Sequence, residues 1–264
     1  VLANQTVVAI NNARLYKESM ENQRREEELA IARQIQRQLL PKQMPSSDKL
    51  QFSAYSESSR EVGGDYYDFI NISDTRLAFA IGDASGKGVP ASLLIARMQA
   101  ILHSVAVSEL DINSKIHHIN NVLSVSGMPE RFITFFYGEI DIDKMTLQYC
   151  NAGHNYPLLL HQNGDYDMLQ EGGLLLGAFA DAPYQSGSKK LDSGDLLMCY
   201  TDGVTEAMDY NDVEFGEEKL TNLLISKNDV PLKSLEETIL DNIRMHCGDR
   251  PLQDDATMLM MKVL

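Results

Sequence analysis

The amino-acid sequence predicts an α+β protein that is built on antiparallel sheets and preceded by one long helix. Residues 1 to about 40 contain no glycine or proline, which favours an unbroken helix. Segments rich in branched and aromatic residues crowd the region 132–201 and are separated by Gly, Asp and Asn turns. This succession of short strands favours antiparallel sheets over a doubly wound parallel sheet.

The composition of the 264-residue chain restricts its function class. Hydrophobic residues make up 44% of it, and 38 acidic against 23 basic residues give a net charge of −15. Such a chain repels phosphate backbones and anionic lipids, so we expect neither nucleic-acid binding nor membrane contact. No apolar run is expected to span a membrane. The three separated cysteines suit a reducing, cytoplasmic setting.

The N-terminal helix is predicted to form a first domain, residues 1–45, and to belong to a longer protein. Two apolar blocks, 7–20 and 29–39, flank the polar stretch 21–28. A helix this long needs a partner, so we expect a homodimer through a parallel coiled coil. The alternative is a helix packed on its own domain. Two prolines, Pro41 and Pro45, end it.

The second domain is predicted to cover residues 46–264. Apolar residues at helical spacing, turn residues and alternating segments define its elements. Strands are expected at 50–56, 64–70, 77–81, 132–140, 146–151, 156–161, 166–169, 184–190, 195–201 and 256–263, and helices at 90–107, 112–126, 216–225 and 232–247.

The stretch 71–100 is the segment around which the site is organised. Its buried strand ends in Gly82-Asp83, and a glycine loop leads into a helix at Pro90. An aspartate in this position can bind a hard cation together with main-chain carbonyls. The alternative is that Asp83 only starts the turn.

Further aspartates occur at or beside other strand ends: Asp65, Asp202, Asp254 and Asp255. We prefer Asp65 to Asp68, which faces the opposite side of the same strand. Clustered carboxylates repel one another, and a divalent metal relieves that repulsion. Oxygen ligands favour Mg²⁺ or Mn²⁺, and two such ions promote displacement at phosphorus. A further polar residue, His154, is either a catalytic base or a hydrogen-bonded turn residue.

Five blocks then carry a resemblance over about residues 50–264: EVGGDYYDF, GDASGKGVPASLLIARMQ, NAGHNYPLLL, YTDGVTEAMD and DDATMLMMKV. In this order they resemble the PPM-type metal-dependent protein phosphatases of the SpoIIE/RsbU branch. The segment AIARQIQRQLLP resembles the lead-in helix of that branch, and residues 1–18 resemble the last helix of a GAF sensor domain. The resemblance implies an αββα sandwich with the metals at one edge.

The family pattern also implies a site with two Mn²⁺ or Mg²⁺ ions. Its implied ligands are Asp65, the bridging Asp83, the Ala84 carbonyl, Asp202, and Asp254 in preference to Asp255. Of these, Asp65, Asp83 and Asp202 would be catalytic. By the same resemblance Arg60 would bind the substrate phosphate, although a solvated surface arginine is equally compatible. The histidine proposed as general acid in eukaryotic relatives is replaced by Ser85.

We therefore expect hydrolysis of phosphoserine or phosphothreonine on a partner protein. The resemblance implies a STAS-type anti-sigma-factor antagonist as substrate. Control is expected to come from the dimerising helix and to be received by residues 90–126. The alternative is a non-catalytic dimeric scaffold that binds a phosphoprotein, although an inactive site has no need of a costly acidic cluster.

Overall fold

The computed structural model describes residues 2–125, 130–227 and 229–264, without the side chains of residues 2–10 and 13. The elements are α1 (Leu2–Arg37), β1 (Leu50–Glu57), β2 (Asp65–Ser73), β3 (Arg76–Ala84), α2 (Val89–Ala106), α3 (Ile112–Ser124), β4 (Ile133–Asp141), β5 (Thr146–Ala152), β6 (Leu158–Leu160), β7 (Tyr166–Met168), β8 (Gly172–Gly173), β9 (Gly187–Lys190), β10 (Leu196–Tyr200), α4 (Asp202–Thr205), α5 (Glu217–Ser226), α6 (Leu232–Cys247) and β11 (Ala256–Val263).

The strands form two sheets. Sheet A has the order β1-β11-β10-β6-β7, and sheet B has the order β2-β3-β4-β5-β8, with β9 also paired to β5. Within the described residues every pair of named strands is antiparallel except the two-residue pair β5·β8. The predicted antiparallel architecture is therefore confirmed.

Apolar residues on alternating faces of the strands arrange these elements in four layers. The two sheets face each other across one core, which includes Phe79, Phe136, Leu197 and Leu259. Helices α2 and α3 cover the outer face of sheet B. The outer face of sheet A is covered by α5 and α6. The fold is thus the expected αββα sandwich.

The first helix is confirmed as one continuous element and ends three residues earlier than predicted. Most of its described side chains are exposed, including Leu15, Met20 and Ile31. Among its described side chains, those of the last turns approach the sandwich. The following Leu40 packs against the core between the sheets and against the core beneath α2 and α3. The coiled coil and the division at residue 45 stay predictions.

Some element boundaries differ from the prediction. Strand β3 continues through Asp83 and Ala84, because both residues still pair with β4. Strand β9 begins only at Gly187, since Tyr184 makes an isolated bridge to Gly173. The helix predicted at 112–126 corresponds to α3, and its predicted end at residue 126 lies outside the described residues. The two-residue β8 and the four-residue α4 have no periodicity that could reveal them.

One described helix corrects the expectation about apolar length. Helix α2 is long and apolar enough, by composition alone, to cross a membrane. Six of its residues are nevertheless buried, among them Ile95, Met98 and Leu102, and they pack against sheet B. This packing is the ordinary role of a core helix.

Candidate active site

Strands β2 and β3 bring the first two aspartates together. Asp65 is the first residue of β2, and the antiparallel register places it directly opposite Asp83. Asp65 faces sheet A, where the Thr201 hydroxyl donates to its Oδ2 at 2.8 Å. Asp68 lies on the other face, 2.5 Å from His103 of α2. The predicted separation of Asp65 from Asp68 is correct.

Sheet A supplies the remaining aspartates at the same edge. Strand β10 ends at Tyr200, and α4 begins at Asp202. The neighbouring strand β11 begins just after Asp254 and Asp255, and Tyr200 pairs with Met258 across the two strands. Because antiparallel neighbours end and begin at a shared edge, Asp202 lies beside the Asp254-Asp255 pair.

Burial and neighbouring charges raise the pKa values of three aspartates at this edge. Burial and the charge of Asp83 raise the pKa of Asp65 well above its ordinary value. Burial, followed by the charges of Asp202, Asp254 and Asp255, raises the pKa of Asp83 to about 7. Burial and Asp254 raise the pKa of Asp202. The sandwich therefore holds its acids close together at a cost that a cation can offset.

The two neighbouring aspartates at positions 254 and 255 have different surroundings. Asp255 is buried and accepts hydrogen bonds from the Ser59 amide at 2.7 Å and the Gly64 amide at 2.6 Å. The half-exposed carboxylate of Asp254 instead accepts from Lys87 Nζ at 2.6 Å. Asp255 thus anchors a loop, and Asp254 is the one left free of main-chain contacts to the Ser59–Gly64 loop.

The donors at this edge fit a hard divalent cation. Asp65 Oδ1 is buried and has no hydrogen-bond partner. A Cβ atom on Gly64 would lie 2.9 Å from the Ala84 carbonyl oxygen and 3.1 Å from Asp83 Oδ1. The glycine therefore leaves the Ala84 carbonyl and the Asp83 carboxylate side by side. These donors and the Asp65 carboxylate are oxygens, as Mg²⁺ and Mn²⁺ prefer.

The acidic edge is not by itself a complete metal-binding site. Across residues 2–125, 130–227 and 229–264, no three His, Cys, Asp or Glu side chains are arranged to hold a metal ion by themselves. The Asp254 carboxylate is paired with Lys87, and the Asp255 carboxylate is bonded to the Ser59–Gly64 loop. A metal would have to compete with the Lys87 ammonium for Asp254.

Lys87 and Thr201 are site residues that the sequence reasoning missed. Gly86 and Gly88 have φ values of 93° and 76°, a left-handed conformation that favours glycine. The resulting loop carries Lys87 back to Asp254 and to the Gln253 carbonyl at 3.0 Å. The glycines around Lys87 were a usable signal, whereas nothing local distinguishes Thr201.

Two other residues singled out in the sequence lie in different settings. Arg60 is exposed in the loop after β1, and its phosphate-binding role stays a prediction. His154 is buried, which lowers its pKa to about 4. Its Nδ1 lies 2.9 Å from Thr134 Oγ1, and the Asn151 side chain accepts from its amide at 2.7 Å. This geometry favours the turn histidine over the base.

Comparison with known proteins gives the family. The sequence profile described as Stage II sporulation protein E (SpoIIE) matches residues 73–264. The chain belongs to the SpoIIE family. Its catalytic domain is of the PP2C type, and the prediction of a protein serine/threonine phosphatase is confirmed at that level. Phosphatases of the SpoIIE family depend on metal ions.

Individual relatives cover most of the chain. It is 28% identical over 237 residues to phosphoserine phosphatase RsbU of Bacillus subtilis. The aligned region covers 89% of this chain and 70% of RsbU. The solved SiaA-PP2C domain of Pseudomonas aeruginosa has a TM-score of 0.81 at 19% identity and covers 92% and 98% of the two chains. RsbX, solved in complex with magnesium, has a TM-score of 0.65 at 18% identity and covers 84% and 99%. The two structural matches show the fold.

Proposed function

We propose that this SpoIIE-family domain hydrolyses phosphoserine or phosphothreonine on a partner protein, at a site holding two Mn²⁺ or Mg²⁺ ions. The observation that carries the proposal is the convergence of Asp65 and Asp83 from sheet B with Asp202 and Asp254 from sheet A. Burial and the neighbouring carboxylates raise the pKa values of Asp65, Asp83 and Asp202. The similarity to the phosphoserine phosphatase RsbU supports the reaction class.

The proposed ligands are those that the fold brings together. Asp65, Asp83 and the Ala84 carbonyl would hold the first ion, and Asp83, Asp202 and Asp254 the second. Bound ions would supply Lewis-acid activation of water and neutralise charge developing on the phosphoryl group. Asp255 would hold the Gly64 end of the loop in place.

The chain's own cations would act on the substrate anion. Arg60 lies in the loop that leads to Asp65 and would orient the phosphate through its guanidinium. Lys87 would be released from Asp254 when the site is loaded and would then be available to the phosphoryl oxygens. Neutral His154 would keep a structural role, because it contacts Thr134 of β4, which pairs with Asp83 of β3.

The proposed substrate is a phosphorylated STAS-type anti-sigma-factor antagonist in the cytoplasm. The test is phosphate release from such a phosphoprotein with Mn²⁺ and with EDTA, for the wild type and for Asp202→Asn. We expect release only with metal and only by the wild type. Equal release by Asp202→Asn would refute the two-ion site, whereas phosphoprotein binding without release would favour the scaffold.

Helix α1 is the proposed dimerisation element. Its exposed apolar side chains include Tyr16 and Met20, and Ile31 and Ile35, with 50% to 70% of each exposed. Each pair is separated by four residues and so lies on one side of the helix. We expect Ile31→Glu with Ile35→Glu to give a monomer by light scattering, whereas a dimer in that variant would contradict the proposal.

A further inference from the structure

The last turns of α1 contact the main chain of the loop that leads into the acidic site. Arg33 Nε donates to the Glu61 carbonyl at 2.6 Å, and its Nη2 donates to the Arg60 carbonyl at 3.1 Å. Gln36 makes two bonds to one residue. Its Nε2 donates to the Gly63 carbonyl at 2.7 Å, and its Oε1 accepts from the Gly63 amide at 3.0 Å.

The Gln36–Gly63 contact holds a segment that has no side chain of its own to hold it. The side-chain amide of Gln36 satisfies both the donor and the acceptor of one peptide residue, and this fixes its orientation as well as its position. A Cβ atom on Gly63 would lie 2.5 Å from Asp255 Oδ2. Gly63 is therefore confined between α1 on one side and the acidic edge on the other.

From Gly63 the connection to the metal ligands is short. The next residue, Gly64, donates its amide to Asp255 Oδ2 at 2.6 Å. Its carbonyl accepts from the Ala84 amide at 3.1 Å. Asp65 follows immediately. A displacement at Gly63 would therefore move the Asp65 carboxylate, the Ala84 peptide and Asp255 together.

The same end of α1 also forms one wall of a cavity at the site. The cavity has a volume of about 470 Å³ and is bounded on one side by Arg33, Gln36, Arg37 and Leu40 of the N-terminal segment. The other side is formed by residues 55–58 and Asp65. The position of α1 thus controls the space beside Asp65 as well as the loop.

We propose that Gln36 is a positioning residue through which α1 sets the affinity of the site for its metal. The proposal rests on the proposed metal-dependent function and identifies how that site is regulated. The contact is made by hydrogen bonds rather than by apolar burial, so a shift of α1 can exchange it for water. While Gln36 is bound to Gly63, the Asp65 carboxylate and the Ala84 carbonyl are held in position. When the contact is broken, they are free to move and the affinity for metal falls.

The test compares Gln36→Leu with Gln34→Leu, each in the 264-residue chain. Gln34 is a matched control at an exposed position two residues away on the same helix. We expect Gln36→Leu to weaken Mn²⁺ binding about 10-fold by calorimetry, as is typical of residues that orient metal ligands. Hydrogen exchange at the Gly63 amide should accelerate by a similar factor. Gln34→Leu should match the wild type in both measurements.

Two further outcomes sharpen the test. Gln36→Glu keeps the acceptor for the Gly63 amide and loses the donor, so its effects should lie between those of the wild type and Gln36→Leu. Saturating Mn²⁺ should restore kcat in Gln36→Leu, because the residue acts through the metal and does not touch substrate. Wild-type Mn²⁺ affinity and exchange in Gln36→Leu would overturn the proposal. A wild-type protein that binds Mn²⁺ but releases no phosphate would instead refute the proposed function.

Discussion

Sheet B carries carboxylates at two opposite edges, where its strands begin or end. The carboxylate at one edge is paired with cations of the chain, and those at the other edge are not fully paired. At one end Glu139 Oε1 accepts from Lys115 Nζ at 2.6 Å and from the Tyr137 hydroxyl at 2.8 Å, and its Oε2 accepts from Arg76 at 2.5 Å. At the other end Asp65 Oδ1 has no partner, and Asp83 faces further acids.

The difference separates a buried charge that is compensated within the fold from one that is not. Glu139 has its counter-ions built into the chain, so burial is compensated on folding. Among the described side chains, one ammonium, that of Lys87, pairs with any of the four proposed carboxylate ligands, and its partner is Asp254. A buried acidic group left without internal compensation calls for a cation from outside the chain, and such perturbed groups mark functional sites.

The largest expected difference between the two ends is in activity. Asp83→Asn should lower phosphate release by about 10³-fold or more, because it removes the proposed bridging ligand. In EDTA at pH 8 the same variant should unfold at a higher urea concentration than the wild type, since it removes a charge that its neighbours repel. Wild-type activity in Asp83→Asn, or a lower urea midpoint than that of the wild type, would contradict the assignment of the acidic edge as the uncompensated, metal-binding end.

Stability should respond in the opposite sense at the structural end. Glu139→Gln leaves Lys115, with 1% of its side chain exposed, without its carboxylate partner. We expect the free energy of unfolding to fall by about 3 to 5 kcal/mol in urea titrations. Mn²⁺ affinity of the folded variant should match that of the wild type, and a weakened affinity would show that the two ends are coupled.

The pH dependence of stability should identify the acidic edge as the strained end. The pKa of Asp83 is raised from 3.8 to about 7 in the folded state, so the folded protein binds more protons than the unfolded chain between these values. Stability of the metal-free protein should therefore fall as pH rises from 4 to 7, by on the order of 2 to 4 kcal/mol. Saturating Mn²⁺ should remove most of this loss, and a metal-free stability that rises over this range would contradict the assignment.

The smallest expected effect concerns Lys87, whose ammonium pairs with Asp254 at the acidic edge. Lys87→Met removes the ammonium that pairs with Asp254, so Mn²⁺ should bind more tightly by up to about 10-fold at low salt. Calorimetry at two ionic strengths measures this effect, which should shrink as salt is added. Weaker Mn²⁺ binding would mean that Lys87 supports the ligands rather than competing with the metal.

The sequence predicted most of the fold because its elements have strong local patterns. Helix α6 and strand β11 begin and end where their periodicity predicts. The aspartates were recognisable because each lies at or beside a strand end next to glycine or another aspartate. Errors were concentrated where local pattern is weak, as in the two-residue β8 and the shortened β9.

The sequence by itself predicted the antiparallel sheets, the strand-end aspartates proposed as ligands and the long first helix, since periodicity, residues at strand ends and the absence of breakers are local properties. Only the tertiary structure decided that Asp255 anchors the Gly64 loop, that Lys87 pairs with Asp254 and that Gln36 holds Gly63. Each of these contacts joins residues that are far apart in the chain. Such contacts depend on how the sheets and α1 pack, and no local sequence pattern records that packing.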